Sequence, residues 1–489
     1  MSLRAVGILG LPASAGNYAI THSTTRLSTQ RTVSRAQARP SCKMTTGEAR
    51  NQLYEQSRSQ FPVFDKALAH MAFMENAGGS QVPACVADAM RDHLLFNNAQ
   101  LGAGHELSKR STAVVEKAHN VIKTIMNAHG VGEIALAGAT STLFAMLADS
   151  YRRSKKIQHG DEIIIHDSSH EANAGPWVRL AEETGAVVKW WRVKECPPFS
   201  TSMEDLQQLL TDKTKIVALP HVSNLLGEVL DIAAVVRAVR DGPAGGTTRV
   251  VADGVAYAPH LPMDMKAWGV DWYGFSVYKT WGPHMAALYG SHSAFQDLKE
   301  AGPNHYWISG TDVPMKFELG GPAHEGCAGI VALSRYFQFM TAQSQGSQPA
   351  HSSSASDGGA AADLDRGTVE AAYATFCHME APLQAQLIDC LNQHPNVTIV
   401  GPQTANTASR VATVSFVHKT KTSDELDAAI QRAGFAIRHG HMYAMRLTER
   451  LVDLQYVRSP ADGVVRISLL HYNTPEEVQQ LVSALDKML

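Results

Sequence analysis

Short apolar runs alternate with segments of helical spacing through the first two thirds of the chain. The apolar runs predict buried strands at 133–137, 162–166, 187–191, 215–219 and 249–252. Apolar residues that repeat every three to four positions predict helices at 82–95, 111–128, 142–151 and 232–239. Since this alternation is typical of a mostly parallel sheet covered by helices, we predict an α/β fold whose ligands bind at the carboxyl ends of the strands.

The last third of the chain has a different pattern. A stretch rich in Ser, Gly and Ala at 342–362 predicts a mobile surface insertion. Helical spacing resumes at 368–393, after which we expect strands at 411–417, 435–438 and 464–470 and helices at 423–433 and 475–488. We therefore predict an N-terminal segment and large domain over 48–315 and a smaller α+β C-terminal domain over 316–489.

The first 47 residues contain no Asp or Glu and carry five arginines among many Ser and Thr residues. This composition is typical of a transit peptide, so we predict an organelle, mitochondrion or plastid, as the destination. The alternatives are a disordered leader without an address, or a start at Met44, which would make the protein cytoplasmic.

Length, net charge and cysteine spacing exclude several classes of function. With 489 residues and 44% hydrophobic content the chain is long enough for two domains. A net charge of −3 gives no reason to expect nucleic acid as a partner, and no apolar run reaches the roughly 18 residues of a membrane span. The six cysteines show no CxxC or metal-ligand spacing, so we predict a reducing compartment and no metal site.

Two charged residues follow buried strand-like runs. Asp253 comes directly after Val250-Val251-Ala252, and Lys279 ends the aromatic run that begins at Trp272. An Asp in this position is often only a helix cap or a turn residue. Burying a lysine between two strands is costly unless its charge is removed or paired. Schiff-base formation removes that charge. The alternative is that the Lys279 side chain reaches out to solvent.

A third candidate site segment is Gly138-Ala139-Thr140-Ser141, which follows a strand and begins a helix. Such a helix N-terminus can bind a phosphate, although Ser and Thr also cap helices routinely. Pyridoxal 5'-phosphate (PLP) requires three groups from a protein. They are a lysine that binds its aldehyde, a carboxylate that faces its ring nitrogen, and a site that holds its phosphate.

From about residue 70 to 489 the sequence resembles the class V aminotransferases, in particular their cysteine desulfurase and selenocysteine lyase branch. The resemblance implies the PLP-dependent fold type I, with a mostly parallel seven-stranded sheet, and a homodimer with shared active sites. It also implies PLP as cofactor and a small amino acid as substrate. The motifs that carry it are Asn76-Ala77-Gly78, Gly138-Ala139-Thr140, His170-Glu171-Ala172-Asn173, Ser223-Asn224-Leu225, Asp253-Gly254, Ser276-Val277-Tyr278-Lys279, Arg438-His439-Gly440-His441 and Arg466-Ile467-Ser468.

The resemblance also implies roles by position. Lys279 would hold PLP as a Schiff base, Asp253 would face the pyridine nitrogen, and Asn224 would lie near the phenolic oxygen. Arg466 would bind the substrate carboxylate, with Arg438 as a weaker second contact. The phosphate would be held by a further group of residues, Ala139, Thr140, Ser276 and Tyr278.

Two departures from the desulfurase pattern stand out. The position of the histidine that stacks on the PLP ring holds Glu171, with His170 one residue earlier, so we predict that both contact the cofactor and that the ring face is built differently or by His170. The segment that carries the catalytic cysteine has Met442 and Tyr443 instead, and residues 391–489 contain no cysteine. Because persulfide chemistry needs a thiolate, the usual desulfurase mechanism is disfavoured.

We therefore predict a PLP-dependent enzyme that acts on an amino acid through Lys279, with a lyase-type elimination favoured. Class V transamination and epimerisation are alternatives, since the fold does not choose among them. Two further alternatives are a desulfurase that uses Cys327 and a non-catalytic binding protein that retains the fold.

Overall fold

The computed structural model describes residues 47–346 and 363–489. The predicted leader at 1–47 lies outside the described residues except for its last residue. Most of the insertion predicted at 342–362 also lies outside them. The prediction was wrong for its first three residues, because the preceding helix continues as far as Ser344.

The strands occur in the order that the apolar pattern predicts, with boundaries that differ by one or two residues in most cases. Those at 162–166 and 187–191 match the predicted bounds. The strands are β1 (Ala72–Phe73), β2 (Gly132–Ala137), β3 (Glu162–His166), β4 (Val187–Trp191), β5 (Thr214–Pro220), β6 (Arg249–Asp253), β7 (Trp272–Ser276), β8 (Ala286–Ser291), β9 (Val397–Val400), β10 (Thr413–His418), β11 (Phe435–Ala436), β12 (Arg438–Gly440) and β13 (Val464–Ser468).

The helices between them carry recognisable start signals. The side chains of Thr422 and Thr474 each form a reciprocal capping box with the glutamate three residues later, which fixes where two of the C-terminal helices begin. The helices are α1 (Gly47–Arg58), α2 (Ala84–Phe96), α3 (Glu106–Ile125), α4 (Thr140–Ser154), α5 (Gly175–Thr184), α6 (Met203–Leu209), α7 (Ile232–Asp241), α8 (Met265–Trp268), α9 (His292–Leu298), α10 (Val313–Phe317), α11 (His324–Ser344), α12 (Arg366–Gln393), α13 (Ser423–Arg432), α14 (Met445–Asp453) and α15 (Pro475–Met488).

The central sheet has seven strands in the order β2-β8-β7-β6-β5-β3-β4. Strands β4, β3, β5, β6 and β7 run parallel, whereas β8 is antiparallel to both of its neighbours. Both faces are covered: Ile164 packs into one core, whereas Ile163 and Ile165 pack into the other. Strands buried on both faces explain why these segments are continuously apolar.

The C-terminal part is built on an antiparallel sheet of four strands, β12-β13-β10-β9. A second, two-stranded parallel pair joins β1 to β11, and Glu75 makes a further parallel bridge with Ser468. These pairings bring the segment that follows β1 against the end of β13. No helix in the described part of the chain is long and apolar enough to cross a membrane.

Candidate active site

A cleft opens where β5, β6 and β7 end and where α4 begins. Its volume is about 610 Å³, which includes space open to solvent. Its position agrees with the rule that ligands of such sheets bind outside the carboxyl ends of the strands. The lining residues are Ala139, Thr140, Ser141, His170, Ala172, Pro220, Val222, Asn224, Asp253, Val255, Ala256, Ser276, Tyr278, Lys279 and His284.

Lys279 reaches this cleft from the short 3-10 turn that follows β7. Its Nζ donates a hydrogen bond of 2.8 Å to the carbonyl oxygen of Ala77. Burial and the nearby Arg466 guanidinium lower the pKa of the amine to about 8, although the negative charges of Asp253 and Glu75 act in the opposite direction. A pKa this close to neutrality makes the amine available as a nucleophile and as a base.

Asp253 is the last residue of β6 and is buried at the base of the cleft. Its Oδ1 accepts a hydrogen bond of 2.9 Å from the backbone N–H of Val255. Burial raises the pKa of the carboxyl to about 6, and the hydrogen bond and the charge of Lys279 limit that rise. A cationic ring nitrogen at this carboxylate would favour the ionised form again.

The N-terminus of α4 forms an anion site on the other side of the cleft. Ala139 is the N-cap of this helix, and the hydroxyl of Thr140 lies 2.8 Å from that of Ser276. Tyr278 stands beside them and stacks on the His284 ring, with centroids 4.5 Å apart. Unpaired amides at a helix start and converging hydroxyls are a suitable arrangement for a phosphate.

Arg466 projects from β13 into the same region and is buried, with 2% of its surface exposed. One Nη donates to the carbonyl oxygen of Asn224 at 3.3 Å, while Nε has no hydrogen-bond partner. Asn224 donates to the carbonyl oxygen of Met442 at 2.8 Å, which leaves its own buried Oδ1 without a partner. A buried donor and a buried acceptor without partners, close together, indicate groups arranged for a ligand.

Arg438 is in register with Arg466 on the neighbouring strand β12 but is half exposed. Its Nε pairs with a carboxylate oxygen of Glu75 at 2.6 Å. It is not among the residues that line the cleft, so it contributes charge to the site from outside.

The structure separates His170 from Glu171. His170 lines the cleft, and burial together with the charges of Lys279 and Arg466 lowers the pKa of its imidazole to about 4. Glu171 points away and pairs with Arg446. Of the two residues, it is therefore His170 that faces the cleft, and histidine is the residue type of the desulfurase pattern.

Three residues in or beside the cleft were given no site role in the sequence prediction. Tyr443 packs against His170 with ring centroids 5.2 Å apart, and its backbone oxygen accepts from the Glu171 N–H at 2.8 Å. His284 and Glu75 are the other two. The signal for His284 and Glu75 was their position beside the Lys279 and Asn76 motifs, whereas only the folded chain brings Tyr443 to His170.

No cysteine of the described residues lines the cleft. Cys327 lies buried in α11, where burial raises the pKa of its thiol to about 12. A thiol in that state is protonated at neutral pH and is a poor nucleophile.

Comparison with known proteins finds relatives over most of the chain. The family model described as aminotransferase class-V matches residues 72–357 and 368–481. The chain is 35% identical over 440 residues to the aminotransferase-like protein FGM3 of Gibberella zeae, which covers 89% of this chain and 98% of that protein. It is 31% identical to the cysteine desulfurase-like protein ustD of Aspergillus flavus, over 73% of this chain and 74% of that protein.

Solved structures share the fold. The cysteine desulfurase of Thermococcus onnurineus superimposes with a TM-score of 0.72 at 21% identity, over 89% of this chain and 97% of that one. A variant of C-DES with glycine covalently linked to its PLP cofactor superimposes with a TM-score of 0.64 at 18% identity, over 88% and 98% of the two chains.

Proposed function

The chain belongs to the class V aminotransferase family of PLP-dependent enzymes, and from this premise we propose that it acts at the α-carbon of a small amino acid in the cleft around Lys279. The observation that carries the proposal is the convergence of a buried lysine, a buried carboxylate and a helix N-terminus on one cleft. These groups come from three separate segments of the chain.

The residues present fit PLP. Thr140, Ser276 and the first amides of α4 would hold the phosphate, and Asp253 would face the ring nitrogen. The partnerless Oδ1 of Asn224 and Nε of Arg466 supply further polar contacts that the protein itself leaves unused. When bound, PLP would supply an aldehyde for attachment and a ring that accepts electrons from the substrate α-carbon.

The chain's own groups divide the remaining work. Lys279 Nζ is the point of attachment and afterwards takes up or returns the proton at the substrate α-carbon. Arg466 binds and orients the substrate carboxylate, because its buried guanidinium has a free donor and little competition from water. Asp253 keeps a negative charge at the ring edge, and the His170 imidazole faces the cleft in its neutral form.

We propose elimination at the β-carbon as the reaction. The described part of the chain offers the cleft no thiol that could accept sulfur, and Met442 and Tyr443 occupy the segment where desulfurases of this family carry one. Elimination needs only a base at the α-carbon and a leaving group, so it dispenses with that thiol. Transamination and epimerisation need the same base and remain the competing proposals.

An absorbance spectrum of the purified protein, before and after borohydride, tests the cofactor site. We expect a yellow band that borohydride abolishes and that Lys279→Ala lacks. A protein that stays colourless when PLP is added would overturn the proposal and favour a non-catalytic role.

Product analysis with cysteine tests the reaction. Elimination converts cysteine and water to pyruvate, ammonia and sulfide, whereas desulfuration leaves alanine. We expect pyruvate and sulfide in equal amounts, unchanged in Cys327→Ser and absent in Lys279→Ala. Alanine as the main product, lost in Cys327→Ser, would instead establish a desulfurase that uses this thiol.

A further inference from the structure

Three metal-ligating side chains meet where α12 and α15 end, among residues that take no part in the cleft. Cys390 lies in the last turn of α12, His394 is the cap that follows this helix, and Asp486 lies near the end of α15. Their ligand atoms all lie within 4.8 Å of one another. The spacing of four residues places Cys390 and His394 one helical turn apart, so that both side chains face the same neighbour.

The cysteine and the histidine converge on a single oxygen. Cys390 Sγ lies 3.6 Å from Asp486 Oδ1, and His394 Nε2 lies 3.0 Å from the same atom. With zinc bond lengths of about 2.3 Å to sulfur and about 2.0 Å to nitrogen and oxygen, tetrahedral ligands would lie about 3.6 Å (S to O) and about 3.3 Å (N to O) apart. The two distances are close to those values.

We propose that Cys390, His394 and Asp486 form a binding site for a divalent transition metal, with Zn²⁺ as the preferred ion. A thiolate, an imidazole and a carboxylate are the ligand types that zinc takes in proteins. The Asp486 side chain is 56% exposed, so a water molecule can reach the fourth position.

Ion binding here would stabilise the C-terminal part of the fold. The ion would link the end of α12 to α15, the last helix of the chain, in addition to their apolar packing. A bound ion takes the thiolate form of Cys390, so binding releases the thiol proton to solvent.

Titration of the chelator-treated full-length protein with Zn²⁺, in competition with a chromophoric chelator, tests the site. We expect one equivalent per chain with the wild-type protein and at least about tenfold weaker binding by Cys390→Ser. The exposed cysteine provides the matched control, since Cys196→Ser should bind like the wild type. The ion should also raise the thermal midpoint of the wild type and not that of Cys390→Ser.

Asp486→Asn provides a second variant, because it changes an exposed side chain and leaves the buried thiol in place. Its folding can be verified from the absorbance band of bound PLP, which this site does not touch. Weakened zinc binding by Asp486→Asn would support the proposal. Stoichiometric binding that survives both Cys390→Ser and Asp486→Asn, or no stoichiometric binding by the wild type, would overturn it.

Discussion

The lowered pKa of the Lys279 amine predicts how the PLP-free protein takes up its cofactor. Only the neutral amine attacks an aldehyde, and its pKa is about 8. The neutral fraction, and with it the rate of PLP uptake, should rise about tenfold between pH 7 and pH 9 and then level off. Stopped-flow absorbance would measure this. A rate that is still rising steeply above pH 9 would show that the amine titrates like an ordinary lysine.

Arg466 is expected to act through the geometry of its guanidinium as well as through its charge. Arg466→Lys keeps the charge but loses the forked donor, so we expect kcat/KM for an amino acid substrate to fall by about 10- to 100-fold. Arg438→Lys is the matched comparison, because that side chain is half exposed and should change kcat/KM by much less. Equal effects of the two substitutions would contradict the role assigned to Arg466.

The residue types at the site could be predicted from the sequence. Lysine, aspartate and arginine in or beside buried strands are conspicuous because burying a charge is costly. The separation of His170 from Glu171 could not be predicted, because adjacent residues in an irregular segment are oriented by their neighbours. The partner that draws Glu171 away is Arg446, which lies 275 positions further along the chain.

At the scale of elements, the start of α4 is expected to set the affinity for PLP. Removing one hydroxyl, as in Thr140→Ala or Ser276→Ala, should weaken PLP binding by about tenfold, because each variant would lose one hydrogen bond to the charged phosphate. Thr142→Ala, an exposed residue of the same helix, is the control. Equilibrium dialysis of the PLP-free protein measures all three.

The hydroxyls of Thr140 and Ser276 are hydrogen-bonded to each other, so we expect the effects of the two substitutions on PLP binding to depend on each other. Because each single substitution also disturbs the partner hydroxyl, the double substitution should weaken binding by less than the product of the two separate effects. Effects that multiply would mean that each hydroxyl contributes to binding without help from the other.

Elements with strong periodicity were predicted well, and irregular ones were not. The closing helix was predicted at 475–488, where the structure places it, and Pro475 and a capping box mark its start. Lys279 was expected at the end of a strand-like run but lies in a short 3-10 turn after β7. Strand pairing to β8 ends at Ser276, a tertiary event that no local pattern marks.

At the scale of the whole molecule, Arg410 holds the segment between β9 and β10 against the loop that follows β5. This fully buried side chain donates to the carbonyl oxygens of Pro402, Val411 and Thr413, and its own backbone pairs with Glu228. Arg410→Met would leave several buried acceptors without donors, so we expect a loss of about 3 kcal/mol of stability. Thermal unfolding would measure it.

An exposed arginine provides the comparison for that variant. Arg432→Met changes a solvent-facing residue of α13 and should shift stability by no more than about 0.5 kcal/mol. If Arg410→Met were as stable as Arg432→Met, the buried guanidinium would not be holding the segment between β9 and β10.

The resemblance to class V aminotransferases predicts a homodimer, and we retain that expectation. Light scattering should give twice the mass of one chain. Exposed apolar side chains at the end of α2 and in a surface loop, Leu95, Phe96 and Trp307, are candidates for the contact. A variant with Phe96→Ser and Trp307→Ser should shift the protein toward monomers, whereas a monomeric wild type would contradict the expectation.

The sequence by itself determined the class of fold, the order of strands and helices and the residue types that carry the chemistry. Side-chain period, helix caps and buried charges are local or nearly local signals, so they can be read along the chain. Tertiary structure decided which distant groups meet. It brought Tyr443 to His170, left Arg466 with an unused donor and placed Asp486 beside Cys390. Those contacts depend on how helices and sheets pack, which spacing within one segment does not encode.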